Sequence, residues 1–201
     1  MKDVVTAEDV MSVPPGGEIS ASPGAVVTAW AREVAESRGV RIVLAPVPQE
    51  APTVAIGADH GGFPLKEQLK AHLGRLGWRF RDLGAFAPDP PVDYPDVARA
   101  VAEAVRARQA RFGVLVDGAG IGSAMAANKV PGIRAALCAD AASARNAREH
   151  NDANVLTLGA KFVEPGRARE ILEVFLTARC SEERHLRRVR KITAIEESYL
   201  K

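Results

Sequence analysis

From residue 53 onward this sequence predicts an α/β fold, a parallel sheet with helices on both faces. Three observations carry that expectation. Short apolar runs alternate with amphipathic helical segments, the β-α-β-α order that builds parallel sheets. The run F-G-V-L-V at 112–116 is apolar throughout instead of alternating, as a strand buried on both faces is. Glycine-rich turns stand where runs meet helices, at 57–62 and 117–122.

The elements follow in order. T-V-A-I-G-A at 53–58 is a strand and P-L-K-E-Q-L-K-A-H-L-G-R-L at 64–76 a helix with Pro64 in its first turn, where proline is tolerated. W-R-F-R-D-L at 78–83 is a strand, 95–107 a helix and 112–116 a strand. A short helix spans about 123–128, then a strand at 134–138, a helix at 141–150, a strand at 154–159 and a helix at 164–177. The tail from Glu182 to Leu200 is helical and basic in its first turns.

Residues 1–52 read as a short N-terminal extension and linker, and 53–201 as the main domain. Proline and glycine punctuate the extension at 14–17 and 22–24. A helix is expected between Ala25 and Gly39, with Val26, Trp30, Val34 and Ala35 on one face. R-I-V-L-A at 41–45 is a short strand. The stretch P-V-P-Q-E-A-P at 46–52 is a linker, because proline resists both helix interior and central strand, and the boundary falls near Pro52.

The totals exclude several function classes. A net charge of +2 gives no general attraction to nucleic acid. Two cysteines, Cys138 and Cys180, make neither a disulfide framework nor a zinc site. No apolar run approaches the roughly 18 residues of a membrane span, and the start lacks a signal peptide's apolar core, so a cytoplasmic location is expected.

Ligands of parallel sheets bind beyond the carboxyl ends of the strands. That rule selects G-A-D-H-G-G at 57–62, D-G-A-G-I-G at 117–122 and the turn E-H-N-D at 149–152. The glycines Gly118, Gly120 and Gly122 let backbone N–H groups face a bound anion, helped by the dipole of the helix that follows. A dinucleotide loop is a weaker match, since G-x-G-x-G here follows the third strand of the domain, not the first. Asp117 reads either as a hydrogen-bonded cap of its loop or as a general base whose pKa burial raises. His60 and His150 are both expected at one edge of the sheet and titrate in the range that suits acid–base work. Asp59 either orients His60 or holds a sugar hydroxyl. Arg184 and Arg188 share a helix face, as a phosphate clamp or as part of a solvated basic helix. Lys161 is a further anion contact.

Taken together, G-A-D-H-G-G-F-P-L-K at 57–66, D-Y-P-D at 93–96, G-A-G-I-G-S-A-M-A-A-N-K at 118–129, P-G-I-R-A at 131–135, R-E-H-N-D-A-N-V-L at 148–156 and R-H-L-R-R-V at 184–189 resemble the ribose-5-phosphate isomerase B family, which includes the galactose-6-phosphate isomerase subunits. The resemblance runs from about Val54 to Glu197. It implies a three-layer α/β/α Rossmann-like fold and a homodimer or tetramer with active sites at the subunit interface. It also implies interconversion of aldose and ketose phosphates through a cis-enediol, without metal or cofactor. Asp59 and His60 then correspond to substrate ligands, and Gly118, Ala119, Gly120, Ile121 and Gly122 to the anion hole. His150 corresponds to the residue that assists ring opening, Asn151 to a sugar contact, and Lys161, Arg184 and Arg188 to phosphate or substrate contacts.

Two positions depart from the family. Asp117 stands where many members carry a cysteine base, and Ile121 where another branch carries glutamate, which leaves Asp117 as the candidate base of this loop. Ala119 replaces a threonine. A second reading is therefore a phosphosugar-binding homologue without ordinary isomerase activity. The segments at 6–10 and 24–42 resemble pieces attached to some bacterial microcompartment enzymes. That implies a packaging or docking contact with a shell or cargo partner through residues 1–52, as against a helix folded onto its own enzyme domain.

Overall fold

The computed structural model describes residues 2–44 and 53–200, in two compact units, Met1–Glu50 and Ala51–Lys201. The linker expected at 46–52 and the boundary at Pro52 lie outside the described residues. Among the described residues no helix is long and apolar enough to cross a membrane.

The first unit is a small β-α-β-α-β fold. β1 (Lys2–Val5), β2 (Glu18–Val27) and β3 (Arg41–Leu44) form a parallel sheet in that order, with α1 (Ala7–Met11) and α2 (Ala29–Arg38) as the crossovers. Thr6 caps α1 in a reciprocal box with Asp9, and Gly39 ends α2 in the left-handed conformation. Val5, Val10, Ile19, Ala21, Ala31, Ala35 and Val40 make its core.

This unit corrects one expectation. Residues 25–27 belong to a strand, not a helix, because the S-P-G at 22–24 is absorbed where the β1–β2 register shifts, an irregularity that tolerates proline. Trp30 is 62 % exposed, and the buried face of α2 is Ala31 and Ala35.

The second unit has a five-stranded parallel sheet in the order β5-β4-β6-β8-β7. Its elements are β4 (Thr53–Ala58), α3 (Phe63–Arg75), β5 (Arg79–Asp82), α4 (Tyr94–Arg106), β6 (Phe112–Asp117), α5 (Ile121–Ala127), β7 (Ala135–Leu137), α6 (Ala141–Asn151), β8 (Val155–Gly159), α7 (Pro165–Thr177) and α8 (Glu183–Tyr199). β6 and β8 are buried at every position, because helices cover both faces. Val54, Ile56, Val114, Leu156 and Leu158 pack with Leu69, Ile171 and Phe175 on one face. Ala55, Leu115 and Val155 pack with Val97, Ala98 and Val101 on the other. The alternation along each strand sets which helix a residue meets.

Lys66, in the first turns of α3, is fully buried. Its ammonium donates to both oxygens of Asp82 at 2.8 Å and to the Ala85 carbonyl at 2.5 Å. This ties the end of β5 to α3 and fixes the chain that leads to α4. Lys66→Ala empties a fully buried site and leaves Asp82 with Lys70 and the Gly84 amide as partners. It is expected to cost about 2–5 kcal/mol, read as a lowered urea midpoint.

Candidate active site

Because every strand points the same way, the loops after β4, β6 and β8 converge at one edge of the sheet, the carboxyl edge. Asp59 donates its backbone N–H to the Val116 carbonyl at 3.2 Å, so the loop after β4 lies directly on the end of β6. Gly62 makes this approach possible, since a Cβ there would stand 2.1 Å from the Val116 oxygen. Asp59 Oδ1 accepts the Gly62 N–H at 2.7 Å, while its Oδ2 takes no hydrogen bond among the described residues. His60 beside it is exposed.

Asp117 ends β6 and is only 4 % exposed. Its Oδ1 accepts the N–H of Ala119 at 2.7 Å and that of Gly120, and its Oδ2 accepts the N–H of Ser123 at 3.0 Å. Three backbone donors thus engage both oxygens of the carboxylate. Burial pushes its pKa up, but the Ser123 side chain and the three amides outweigh burial and hold the carboxyl below its ordinary value.

This corrects the general-base expectation, which rested on a pKa raised by burial. Of the amides expected to form an anion hole, those of Ala119 and Gly120 answer the chain's own carboxylate, while those of Gly118, Ile121 and Gly122 do not donate to it. Asp117 is the cap of its loop. Gly120 turns the loop at φ 77, and its carbonyl accepts the buried Thr157 hydroxyl at 2.9 Å. Ile121 faces outward.

A carboxyl with a depressed pKa contributes stability above its ordinary value of 3.8, and that contribution is lost as pH falls through the lowered one. Asp82, paired with Lys66 and Lys70, has the same sign: burial raises its pKa, and the two lysines and the Gly84 amide bring it below the ordinary value. The urea midpoint is expected to fall as the pH drops below about 4, and Asp117→Ala, less stable at neutral pH, to show a shallower fall.

Lys161 follows β8 and joins this edge. Its N–H donates to the Gly118 carbonyl at 3.1 Å, and its side chain runs along Gly118. Tyr94, at the start of α4, lays its ring on Gly122, where a Cβ would come within 2.6 Å of it. Tyr94 was missing from the site read in the sequence, although D-Y-P-D marks the position.

His150 and Asn151 lie elsewhere. α6 starts from the carboxyl end of β7 and runs back, so its last turn feeds into the start of β8. The turn 149–152 is thus at the amino edge, which corrects the expectation that His60 and His150 share an edge. Five strand residues separate the two edges, roughly 17 Å.

At the amino edge His150 stacks on His185 of α8, with centroids 4.1 Å apart and planes 12° from parallel. Asn146 Nδ2 lies 3.0 Å from His150 Nδ1. His185 is buried at 4 % exposure, and its Nδ1 has no hydrogen-bond partner among the described residues. Burial, then the charges of His150, Arg184 and Arg188, holds its pKa below the usual imidazole value. His150, Arg179, Ser181, Arg184 and His185 line a polar cavity of about 300 Å³. Arg184 and Arg188 are exposed on α8. His185 is the second residue the sequence reading missed. Its signal was its place directly after Arg184 in R-H-L-R-R-V.

The structure therefore brings Asp59, His60, Asp117 to Gly122, Lys161 and Tyr94 together at one edge. It brings His150, Asn151, His185, Arg184 and Arg188 together at the other.

Comparison with known proteins bears on the chain from residue 54 onward. The Ribose/Galactose Isomerase family matches residues 54–192. Ribose-5-phosphate isomerase B of Escherichia coli is 42% identical over 144 residues, covering 72% of this chain and 96% of that protein. The structure of Clostridium thermocellum ribose-5-phosphate isomerase B superposes with a TM-score of 0.71 at 44% identity, covering 73% of this chain and 99% of that one. That of the Mycoplasma genitalium enzyme with bound ribulose 5-phosphate gives 0.70 at 39% identity, covering 72% and 96%. The family match begins at residue 54 and lends no support to the microcompartment reading of residues 1–52.

Proposed function

The chain belongs to the Ribose/Galactose Isomerase family and is a pentose-phosphate isomerase, and we propose that its working site is built from two chains. The carboxyl edge of one chain supplies the proton-transfer half. The amino edge of its partner supplies the half that opens the ring and holds the phosphate.

The substrate we assign is ribose 5-phosphate, converted to ribulose 5-phosphate through an enediol. Asp59 takes the proton at C2 of the opened aldose and returns it at C1. Its Oδ2 takes no hydrogen bond among the described residues, and Asp59 stands beside His60 on the loop that lies on the end of β6. The Lys161 ammonium opposes the charge that develops on the enediolate, a role that oriented cations perform best away from bulk water. His60 and the ring of Tyr94 border the sugar. At the other half His150 opens the furanose, Asn151 holds a hydroxyl, and Arg184 and Arg188 grip the phosphate with planar donors.

The observation that carries this reading is the separation of the two groups on opposite edges of one sheet. No single chain can present both to a five-carbon ester. Exposed apolar side chains flank each group, Ile121, Met125 and Phe162 at the carboxyl edge and Ile192, Ile195 and Tyr199 on α8. A two-fold dimer that joins unlike edges covers both patches twice.

A coupled assay of the ribose 5-phosphate to ribulose 5-phosphate conversion tests the chemistry. Asp59→Asn is expected to lower kcat by about 10²–10⁴-fold, the usual contribution of a general base, with KM and melting temperature near wild type. A variant that keeps wild-type turnover would remove Asp59 from the proton path.

A further inference from the structure

The last turn of α6 is held by a device that the reaction as proposed does not use. Asp152 ends the helix with φ 45 and ψ 44, the left-handed conformation that glycine adopts without strain and other residues do not. Two arginines keep it there. Arg148 donates to Asp152 Oδ1 at 2.8 Å and to the Ala153 carbonyl at 2.7 Å. Its guanidinium is buried over the rings of Phe112 and Phe175, at 4.8 and 5.6 Å, so it reaches out from the core. Arg134, entering β7, donates to Asp152 Oδ2 at 2.9 Å, to the Asp152 carbonyl at 2.7 and 3.0 Å, and to the Asn151 carbonyl at 3.0 Å.

A glycine at 152 would close the helix without either arginine. This chain instead fixes the turn from two sides with charged, directional donors. The residues fixed are His150 and Asn151. Neither guanidinium is recorded in contact with the imidazole, which meets His185 and Asn146 instead. We infer that Arg134 and Arg148 are positioning residues that hold His150 in register for ring opening, acting through Asp152. The inference rests on the reading of His150 given above. A displacement of about an ångström at a reacting group costs up to about a hundredfold in rate, so a clamp of this kind acts on turnover more than on substrate affinity.

The test uses the full chain and two reactions. Conversion of ribose 5-phosphate needs the ring opened. Exchange of the C1 hydrogen of ribulose 5-phosphate with deuterated solvent starts from an open chain and needs only enediol formation. Asp152→Asn suits the left-handed backbone and removes the charge that both arginines grip. It is expected to lower kcat for ribose 5-phosphate about tenfold, with KM within twofold and C1 exchange within twofold of wild type. Asp152→Gly, measured beside it, is expected to show the same split and to melt within a few degrees of wild type.

His150→Ala is expected to show the same split more strongly. A parallel loss of conversion and exchange in the two Asp152 variants would make the clamp general scaffold and overturn the inference. So would wild-type conversion in both. Wild-type conversion by His150→Ala would instead remove the ring-opening reading, and the inference with it.

Discussion

Asp117→Asn is expected to weaken the isomerase unit by about 2–4 kcal/mol, with a fall in melting temperature of order 10 °C. The reason is the count of donors. The asparagine oxygen can still receive Ala119 and Gly120, but without charge, and its amide group then faces the Ser123 N–H, donor against donor. Hydrogen bonds to an ionised group are worth about 1.5–3 kcal/mol each, and a buried donor left unpaired adds to the loss.

The kinetic consequence follows from the loop, not from a missing base. KM rises as Gly118 and its neighbour Lys161 lose their fixed place, and kcat falls by about tenfold. Had Asp117 been the base, the same substitution would leave melting unchanged and lower kcat by about 10³-fold or more. Thermal unfolding and a coupled assay on one preparation separate these results.

Much of this was readable from the residues alone, and the reasons are physical. The isomerase unit follows its pattern closely. Short apolar runs bounded by turn residues suit strands covered on both faces, and Pro64 and Pro95 stand in the first turns of their helices, where proline fits. The role of Asp117 was not readable. An acid beside three glycines is compatible with a cap or a base, and the choice depends on where the loop amides converge, which is a property of the folded turn.

The edge occupied by His150 was available in principle. In an all-parallel sheet a helix leaves a strand's carboxyl end and must return to the amino end, so a turn that precedes a strand lies at the amino edge. Treating E-H-N-D as a strand exit hid this. In the N-terminal unit, S-P-G looked like punctuation between elements, yet β2 carries it through as an irregularity of pairing. In α2 the spacing groups Trp30 with Val34 and Ala35, whereas the buried positions are Ala31 and Ala35 and Trp30 is exposed.

The sharing of the site between chains makes a quantitative demand. Asp59→Asn disables only the carboxyl edge, and His150→Ala only the amino edge. Each homodimer is then inactive at both sites. In a dimer of one chain of each kind, one site unites both defects and the other unites the two unaltered edges. Equal amounts of the two variants, unfolded together and refolded, should give half mixed dimers, and so about a quarter of the wild-type activity. Recovery to that level, in proportion to the mixed dimer seen by native mass spectrometry, is the expected result. Mixed dimers that form but stay as inactive as either parent would show that each site lies within one chain, and the two-edge arrangement would have to be abandoned.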